Sequence, residues 1–381
     1  MFISGISGGT QSLGGIGHKS CNFVKAPVPY SFALVGGGGG AGVRYTGGGG
    51  AGALVVGTGG PIAPGTVVTL LIGAGAAATN LSNIPGGCAA LNSYSGTLTQ
   101  SCGLGIVTVA FGGSGAKGRL AYTCCQSGCG GSGGGGGGSR PGPSTGTVPP
   151  NPQFSGWGVI GCAFGGPTSP NGIWTVYGNP GGNYFGGGGG AGYAGVSRLC
   201  KGSLTSIRTT DGAGGAGKCL PGWGPGGSGI VLAGGGGGGG LVTGSAPACT
   251  PFRFVGGAPG PGGGGAGGGY GQPVASQSGG GGTNAGTPPT WVYPSNVTLP
   301  TAGTYGTGGG GGGSIYVGGG PNSGSTIGSG GGSGTFMLKV PTPLIGIAVV
   351  PPSAPPIGLQ TWPDGAGNTV FKFNTSGTYT F

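Results

Sequence analysis

Apolar residues along this chain come in short stretches, and each stretch runs into glycine. Ser31-Phe-Ala-Leu-Val35 precedes Gly36, Ile106-Val-Thr-Val109 lies just before Gly112, and Ile173-Trp-Thr-Val-Tyr177 precedes Gly178. Ile230-Val-Leu-Ala233 enters the longest glycine run, and Phe252-Arg-Phe-Val255 and Ile315-Tyr-Val317 repeat the arrangement. The alternation in 31–35 predicts a half-buried strand, and the others read as short strands of the same kind. Their spacing is too irregular for a named solenoid repeat, so the pattern predicts one layered unit reused with variable loops.

The glycines between these strands lie in runs: Gly36–Gly40, Gly133–Gly138, Gly186–Gly190, Gly234–Gly240 and Gly308–Gly313. Glycine fills 115 of 381 positions and proline 32, which makes helix expensive at roughly 1 kcal/mol per interior glycine. Oligoglycine suits the extended threefold helix, which has a rise of about 3.1 Å per residue and no internal hydrogen bonds. Its peptide groups point outward and must be satisfied by neighbours, so several runs have to bundle. Strict glycine at every third position is absent, which excludes a collagen helix. The expected fold is therefore mostly irregular and β: a layered bundle of polyglycine II helices with short strands, long loops and almost no α-helix.

Texture divides the chain into three parts. Residues 1–30 hold His18, Lys19, Cys21 and the exit Ala26-Pro-Val-Pro29, and read as an attachment segment. Residues 31–335 form the glycine-rich body, and 336–381 a proline-rich and strand-like docking tail. In that tail Phe336-Met-Leu-Lys-Val340 reads as a strand. Thr369-Val-Phe-Lys-Phe373 and Thr378-Tyr-Thr-Phe381 read as a closing hairpin around Asn374-Thr-Ser-Gly377. No apolar segment is long enough for a transmembrane helix, and the first residues lack the pattern of a signal peptide.

Charge adds little specificity. There are 13 Lys and Arg against 2 acids, a net charge of +11, while ordinary domains carry about 25% charged residues. Mean hydropathy is +0.18, too apolar for the usual disordered chain. The bases are scattered, which favours solubility over a specific nucleic-acid site, though an anionic surface remains compatible with them.

Catalytic chemistry is almost absent. His18 is the single histidine, and Asp211 and Asp364 are the only acids. Both aspartates sit beside glycine in ordinary turn signals, and no serine lies in a nucleophile elbow. Gly212-Ala-Gly-Gly-Ala-Gly217-Lys218-Cys219 imitates a phosphate-binding loop but puts Cys219 where the magnesium-holding hydroxyl belongs. Gly73-Ala-Gly75-Ala-Ala-Ala78 matches a dinucleotide fingerprint without a following helix or acid. No cofactor, metal or catalytic residue is assigned, and the chain is read as a non-enzyme.

Ten cysteines, Cys21, Cys88, Cys102, Cys124, Cys125, Cys129, Cys162, Cys200, Cys219 and Cys249, permit five disulfides, with free thiols as the alternative. Zinc spacing is missing. Disulfides would suit a protein assembled inside a cell and released by lysis. Trp157, Trp174, Trp223, Tyr270, Trp291 and Tyr293 lie mostly between glycine runs. They are candidate surface recognition residues, able to stack on sugars or dock a partner, or else packing residues that cap the glycine layers. Asn80, Asn296 and Asn374 head glycosylation sequons, which matter on a secretory route.

Glycine runs alternating with apolar-aromatic segments over 31–335 resemble the Gly-rich proteins of phages and large DNA viruses, and in particular the tail-fibre-tip adhesins of T-even-like phages. That resemblance implies a sandwich of polyglycine II helices whose loops at one end bind a host surface. It makes Gly36–Gly40, Gly186–Gly190 and Gly234–Gly240 lattice elements, not ligand sites. The chain departs from the pattern in its cysteines, its length and its C-terminal strands, which fit a minor capsid component equally well. The function expected is a virion structural protein, either fibre or tip adhesin or capsid cement. Its partners would be other virion proteins and a host surface glycan or protein receptor, with no specific nucleic acid and no membrane insertion. An extracellular or cell-wall protein of a cellular organism is the second reading, and an ice-binding protein ranks behind it.

Overall fold

The computed structural model describes residues 28–42, 47–62, 65–77, 79–80, 99–102, 108–110, 131–135, 174–182, 186–197, 212–239, 241–242, 256–270, 297–298, 300–314, 316–317, 327–342 and 358–380. Among these residues there is no α-helix, only strands, irregular extended runs and 3-10 geometry at Pro225–Gly227 and Thr342. The non-helical class therefore stands.

The base of the molecule is two facing sheets. The larger contains β1 (Val28–Val35), β2 (Leu54–Ile62), β7 (Trp174–Tyr177), β15 (Thr335–Pro341), β16 (Leu359–Pro363) and β17 (Asn368–Phe373), in the order β16-β17-β15-β1-β2-β7. The smaller contains β3 (Val67–Leu71), β5 (Thr99–Cys102), β6 (Thr108–Ala110) and β18 (Gly377–Thr380), in the order β18-β3-β5-β6. Phe32, Leu34, Phe336, Phe371 and Phe373 of the first sheet meet Val68, Leu70 and Tyr379 of the second. Fully burying each such side chain stabilises the fold by about 1.5–3 kcal/mol. Phe373 and Tyr379 meet edge to face at 4.6 Å between centroids and tie the sheets together.

Strand β1 was expected to be half-buried. Its residues Phe32, Ala33, Leu34 and Val35 are all 0% exposed. The reason is a second apolar layer on the sheet's other face, where Ala33, Val35, Met337 and Val370 pack against Ala51, Ala191, Ala233, Leu232 and Trp223. A strand covered on both faces needs no polar side, so its alternation is of size and not polarity. True half-burial occurs in β3, where Val67, Thr69 and Leu71 face outward and Val68 and Leu70 inward.

The closing hairpin of the sequence reading is not formed. β17 pairs with β15 and β16 in the large sheet, whereas β18 pairs with β3 in the small one. The stretch 374–376 crosses between sheets because Phe373 and Tyr379 both belong to the core between them. The hairpin present is β16–β17, turned by Asp364 and its glycines. Strands β15, β16 and β17 share one sheet with β1 and β2, since β15 lies directly beside β1.

Four strands reach the same level at one end of the large sheet: Val35 pairs with Leu54 and with Thr335, and Leu54 with Tyr177. Each then continues straight into, or emerges from, a glycine run. These runs form a second layer above the sheets, and their hydrogen bonds follow a period of three. In 233–239, Gly235 and Gly238 donate to the run 212–217, while Gly234 and Gly237 donate to 262–265. Gly236 donates to Gly49. Carbonyls behave alike: those of Ala233 and Gly236 accept from 186–192, of Gly234 and Gly237 from 308–314, and of Gly235 and Gly238 from 256–261. The run thus has six neighbours, and every peptide group from 233 to 238 is paired. Runs 308–314 and 186–192 are likewise surrounded by six segments.

Such packing admits no side chain at the inner glycines. A Cβ on Gly236 would overlap the carbonyl of Gly311, and one on Gly310 the carbonyl of Gly49. Side chains appear at outer positions, as at Ala74 and Ala77, both exposed and three residues apart, and otherwise as small buried ones such as Ala41, Ala51, Ala191 and Ser314.

Among the described residues, two charged residues lie inside, Asp364 in an ion pair and Lys372 on β17. Lys372 is 8% exposed on β17, in register with Met337 and Gln360, and burial pushes its ammonium below its ordinary value. The folded state therefore holds this proton less tightly than the unfolded chain. Stability should rise with pH from the lowered folded value up to the unfolded value near 10.4. Lys372→Met should raise stability at pH 7 by on the order of 1 kcal/mol and abolish that rise, as read by urea unfolding at pH 7 and pH 10. Tyr30 acts oppositely at higher pH. Burial pushes its phenol up to about 12, so stability should fall as pH climbs from its unfolded value near 10 towards 12.

Candidate functional site

Direction along the runs defines two poles. The sandwich forms the base, and Val28, Pro341 and the Asp364 turn lie at its outer end. At the opposite pole, three two-residue ladders extend the glycine runs. β4 (Thr79–Asn80) pairs with β14 (Ile327–Gly328), β10 (Leu241–Val242) with β13 (Tyr316–Val317), and β11 (Gly269–Tyr270) with β12 (Val297–Thr298). Backbone bonds such as Gly48 to Gly186, Gly238 to Gly212, Gly257 to Gly238 and Gly268 to Gly313 set the same level in the neighbouring runs. The described residues that flank positions 43–46, 183–185, 198–211, 243–255, 271–296 and 318–326 all stand at this far pole. Residues 1–27 join at Val28, at the base.

The recognition candidates are not gathered in one place. Tyr270 ends β11 at the far pole. Trp174 opens β7, on an edge of the large sheet at the base. Trp223 is buried at 8% exposure in the base layer and is no surface residue. The hairpin of β8 (Lys218–Leu220) and β9 (Ile230–Leu232) folds it onto the sheet, where its carbonyl accepts from Trp362 Nε1 at 3.0 Å. Its packing role wins over recognition because a ring in this loop buries far more area against the sheet than at the surface. Trp157, Trp291 and Tyr293 lie outside the described residues; Trp291 and Tyr293 belong to the segment between β11 and β12. The sequence reading missed Tyr193, 71% exposed in a turn at the edge of the bundle, while Tyr305, an aromatic between glycine runs, is 49% exposed with its hydroxyl donating to the Asn374 carbonyl. A tyrosine within Gly-Ala-Gly-Tyr-Ala was the available signal for the first.

Cys219 is an exposed free thiol, one of the two alternatives for that position. Its neighbour across the hairpin is Val231, not a cysteine. Cys102 ends β5 opposite Thr69, and Cys21, Cys88, Cys124, Cys125, Cys129, Cys162, Cys200 and Cys249 lie outside the described residues. The sequon at Asn374 is closed off. Asn374 is 8% exposed, and its Oδ1 accepts from Thr335 Oγ1 at 2.8 Å.

The two nucleotide-like motifs have other uses. Gly214, Gly215 and Gly217 donate their N–H groups to Ala258, Gly188 and Pro261, so no nest of free donors is left to cradle a phosphate. Gly73 to Ala77 is likewise built into the bundle, with Ala76 donating to Gly38, and strand β4 follows it where a dinucleotide fold has a helix.

At the base, Asp364 and Lys339 form an ion pair at 2.6 Å. The carboxylate also accepts from the backbone N–H groups of Ala366 and Asn368 and from Asn368 Nδ2. Lys339 Nζ donates in addition to the Gly222 carbonyl at 2.9 Å and lies 5.8 Å from the Trp223 ring centroid. Burial pushes the carboxyl up, but the bonds from Lys339, Asn368 and Ala366 outweigh it and hold the group well below the usual carboxylate range. An acid so firmly ionised, with its partners fixed, is a fastener and a poor proton donor.

No known protein family matches the chain, and neither a curated protein nor a solved structure resembles it.

Proposed function

We propose that the protein is a non-enzymatic structural component of a virus particle, a glycine-rich scaffold that attaches at its base and meets a partner at the far pole. The observation that carries this reading is the layout of the glycine runs: six of the segments that connect them have both described flanks at the far pole, whereas 103–107 and 343–357 connect strands of the base. The paired peptide groups between the poles leave the scaffold little to do except hold them. We further propose that the glycine runs are polyglycine II helices. Their threefold hydrogen-bond period and six neighbours support this, and both features are what the resemblance to tip adhesins implies.

Fibre-tip adhesin is the form favoured here over capsid cement. The segments whose described flanks stand at the far pole carry, in sequence, Arg44, Arg198, Lys201, Arg208 and Arg253 against one acid, Asp211. That excess of positive charge supports an anionic surface glycan as the receptor. The isolated protein should bind host cells, and the binding should weaken as salt rises. Binding only to its own particles would replace adhesin with cement. A fixed copy number in density-purified particles, read by mass spectrometry, tests both forms together. Recovery in a host envelope fraction and absence from particles would overturn the viral reading in favour of a cellular structural protein.

A further inference from the structure

We propose that the molecule is a tension-bearing element, built to resist force along the axis of its glycine runs. This mechanical role depends on the direction of its hydrogen bonds and not on the identity of the receptor. β1 begins at the base with Val28 and passes without a turn into 36–42. Eight strand residues and seven run residues span about 50 Å at rises of about 3.3 and 3.1 Å. Segments 47–62, 67–77, 174–182 and 327–341 cross the same boundary between sheet and bundle as single extended pieces.

The bonds between these pieces lie across the axis. Antiparallel ladder bonds are perpendicular to their strands, and the run bonds connect residues at the same level, as in Gly48 to Gly186 and Ala51 to Gly189. Pulling 233–239 out along its own axis must therefore break the six donated and six accepted hydrogen bonds of residues 233–238 together. Pulling one strand sideways from its neighbour breaks bonds one after another. Load shared across many bonds raises the barrier that governs forced unfolding. Glycine adds to this arrangement, because the backbones lie close enough for every peptide group to be used.

Single molecules of otherwise wild-type protein, held through azide-bearing residues, test the idea. Handles at positions 28 and 242, the outer ends of β1 and β10, load the base against the far pole, with the force along the axis. Handles at 28 and 342 both sit at the base and peel β1 from β15. The axial pair should unfold at a mean force at least twofold higher than the peeling pair at equal loading rate. Equal forces, or a weaker axial pair, would overturn the proposal. Both handle pairs sit at the outer ends of their elements, so folding can be checked by the unchanged β-rich circular dichroism before pulling.

Discussion

Gly236→Ala should be among the most damaging single substitutions in the chain, with a loss of about 3–5 kcal/mol. A methyl group here has no free direction: it would overlap the carbonyl oxygen of Gly311 while Gly310 closes the other side. Overpacking alone costs about 1–3 kcal/mol in ordinary cores, where side chains can shift. Backbone cannot turn aside so easily. If 233–239 moves away, the bonds from Gly236 to Gly49 and from Gly188 to Gly236 stretch together, and each buried group left unsatisfied costs about 1–3 kcal/mol. Ala77→Ser, on an exposed edge position, is the matched control and should change stability by less than about 0.5 kcal/mol. Urea unfolding followed by tryptophan fluorescence reads both. Similar stability for the two variants would mean that the runs are loosely packed.

The transition from strand to glycine run was legible at Val35-Gly36, because apolar residues of high β-propensity end abruptly at residues that have none. Strand β2 was not. Gly57, Gly59 and Gly60 interrupt its pattern, yet Gly59 is there because the ring of Tyr30 lies against its Cα, and a Cβ would strike that ring. Glycine therefore has two meanings in this chain, lattice member and seat for an aromatic, and composition cannot separate them. The turn at Pro363-Asp-Gly365 was legible from its residues. Its bond to Lys339 was not, since that contact depends on β15 and β17 being neighbours, with Lys339 opposite Val370. Trp223 was misleading for a related reason: a tryptophan in a Gly- and Pro-rich loop looks exposed until the hairpin that carries it is folded onto a sheet.

The scarcity of charge follows from the same geometry. An inner run uses its peptide groups in six directions and holds no side chain larger than those of Ala191 and Ser314, so charged residues are left to strands, edges and connections. The strands in turn are covered on both faces in β1 and β15. Lys339 is accommodated because its strand's outer end reaches the buried Asp364. Arginine and lysine elsewhere are left to the segments between runs, which is where the sequence has most of them.

Asp364→Ala should cost about 3–5 kcal/mol, comparable to the glycine substitution but through electrostatics. The side chain of Asp364 is 0% exposed and that of Lys339 20%. Removing the carboxylate leaves a partly buried ammonium without its counter-ion, a loss of the size seen when one member of a buried pair is deleted. It also strands the N–H groups of Ala366 and Asn368, which the carboxylate caps at 2.7 and 2.9 Å. Lys339→Met should cost less, about 1–3 kcal/mol, because the carboxylate keeps its bonds to Asn368 and Ala366. The pH dependence has a definite sign. Asp364 is held below its unfolded value, so its contribution is complete above about pH 4, the unfolded aspartate range, and is lost as pH falls from there through the lowered folded value. The chain has only two acids, so this loss is not hidden among other carboxylates. Wild-type urea midpoints should drop between pH 5 and pH 2, while those of Asp364→Ala should stay nearly level. Parallel curves for the two proteins would show that the ion pair does not hold the 221–228 loop to the sheet.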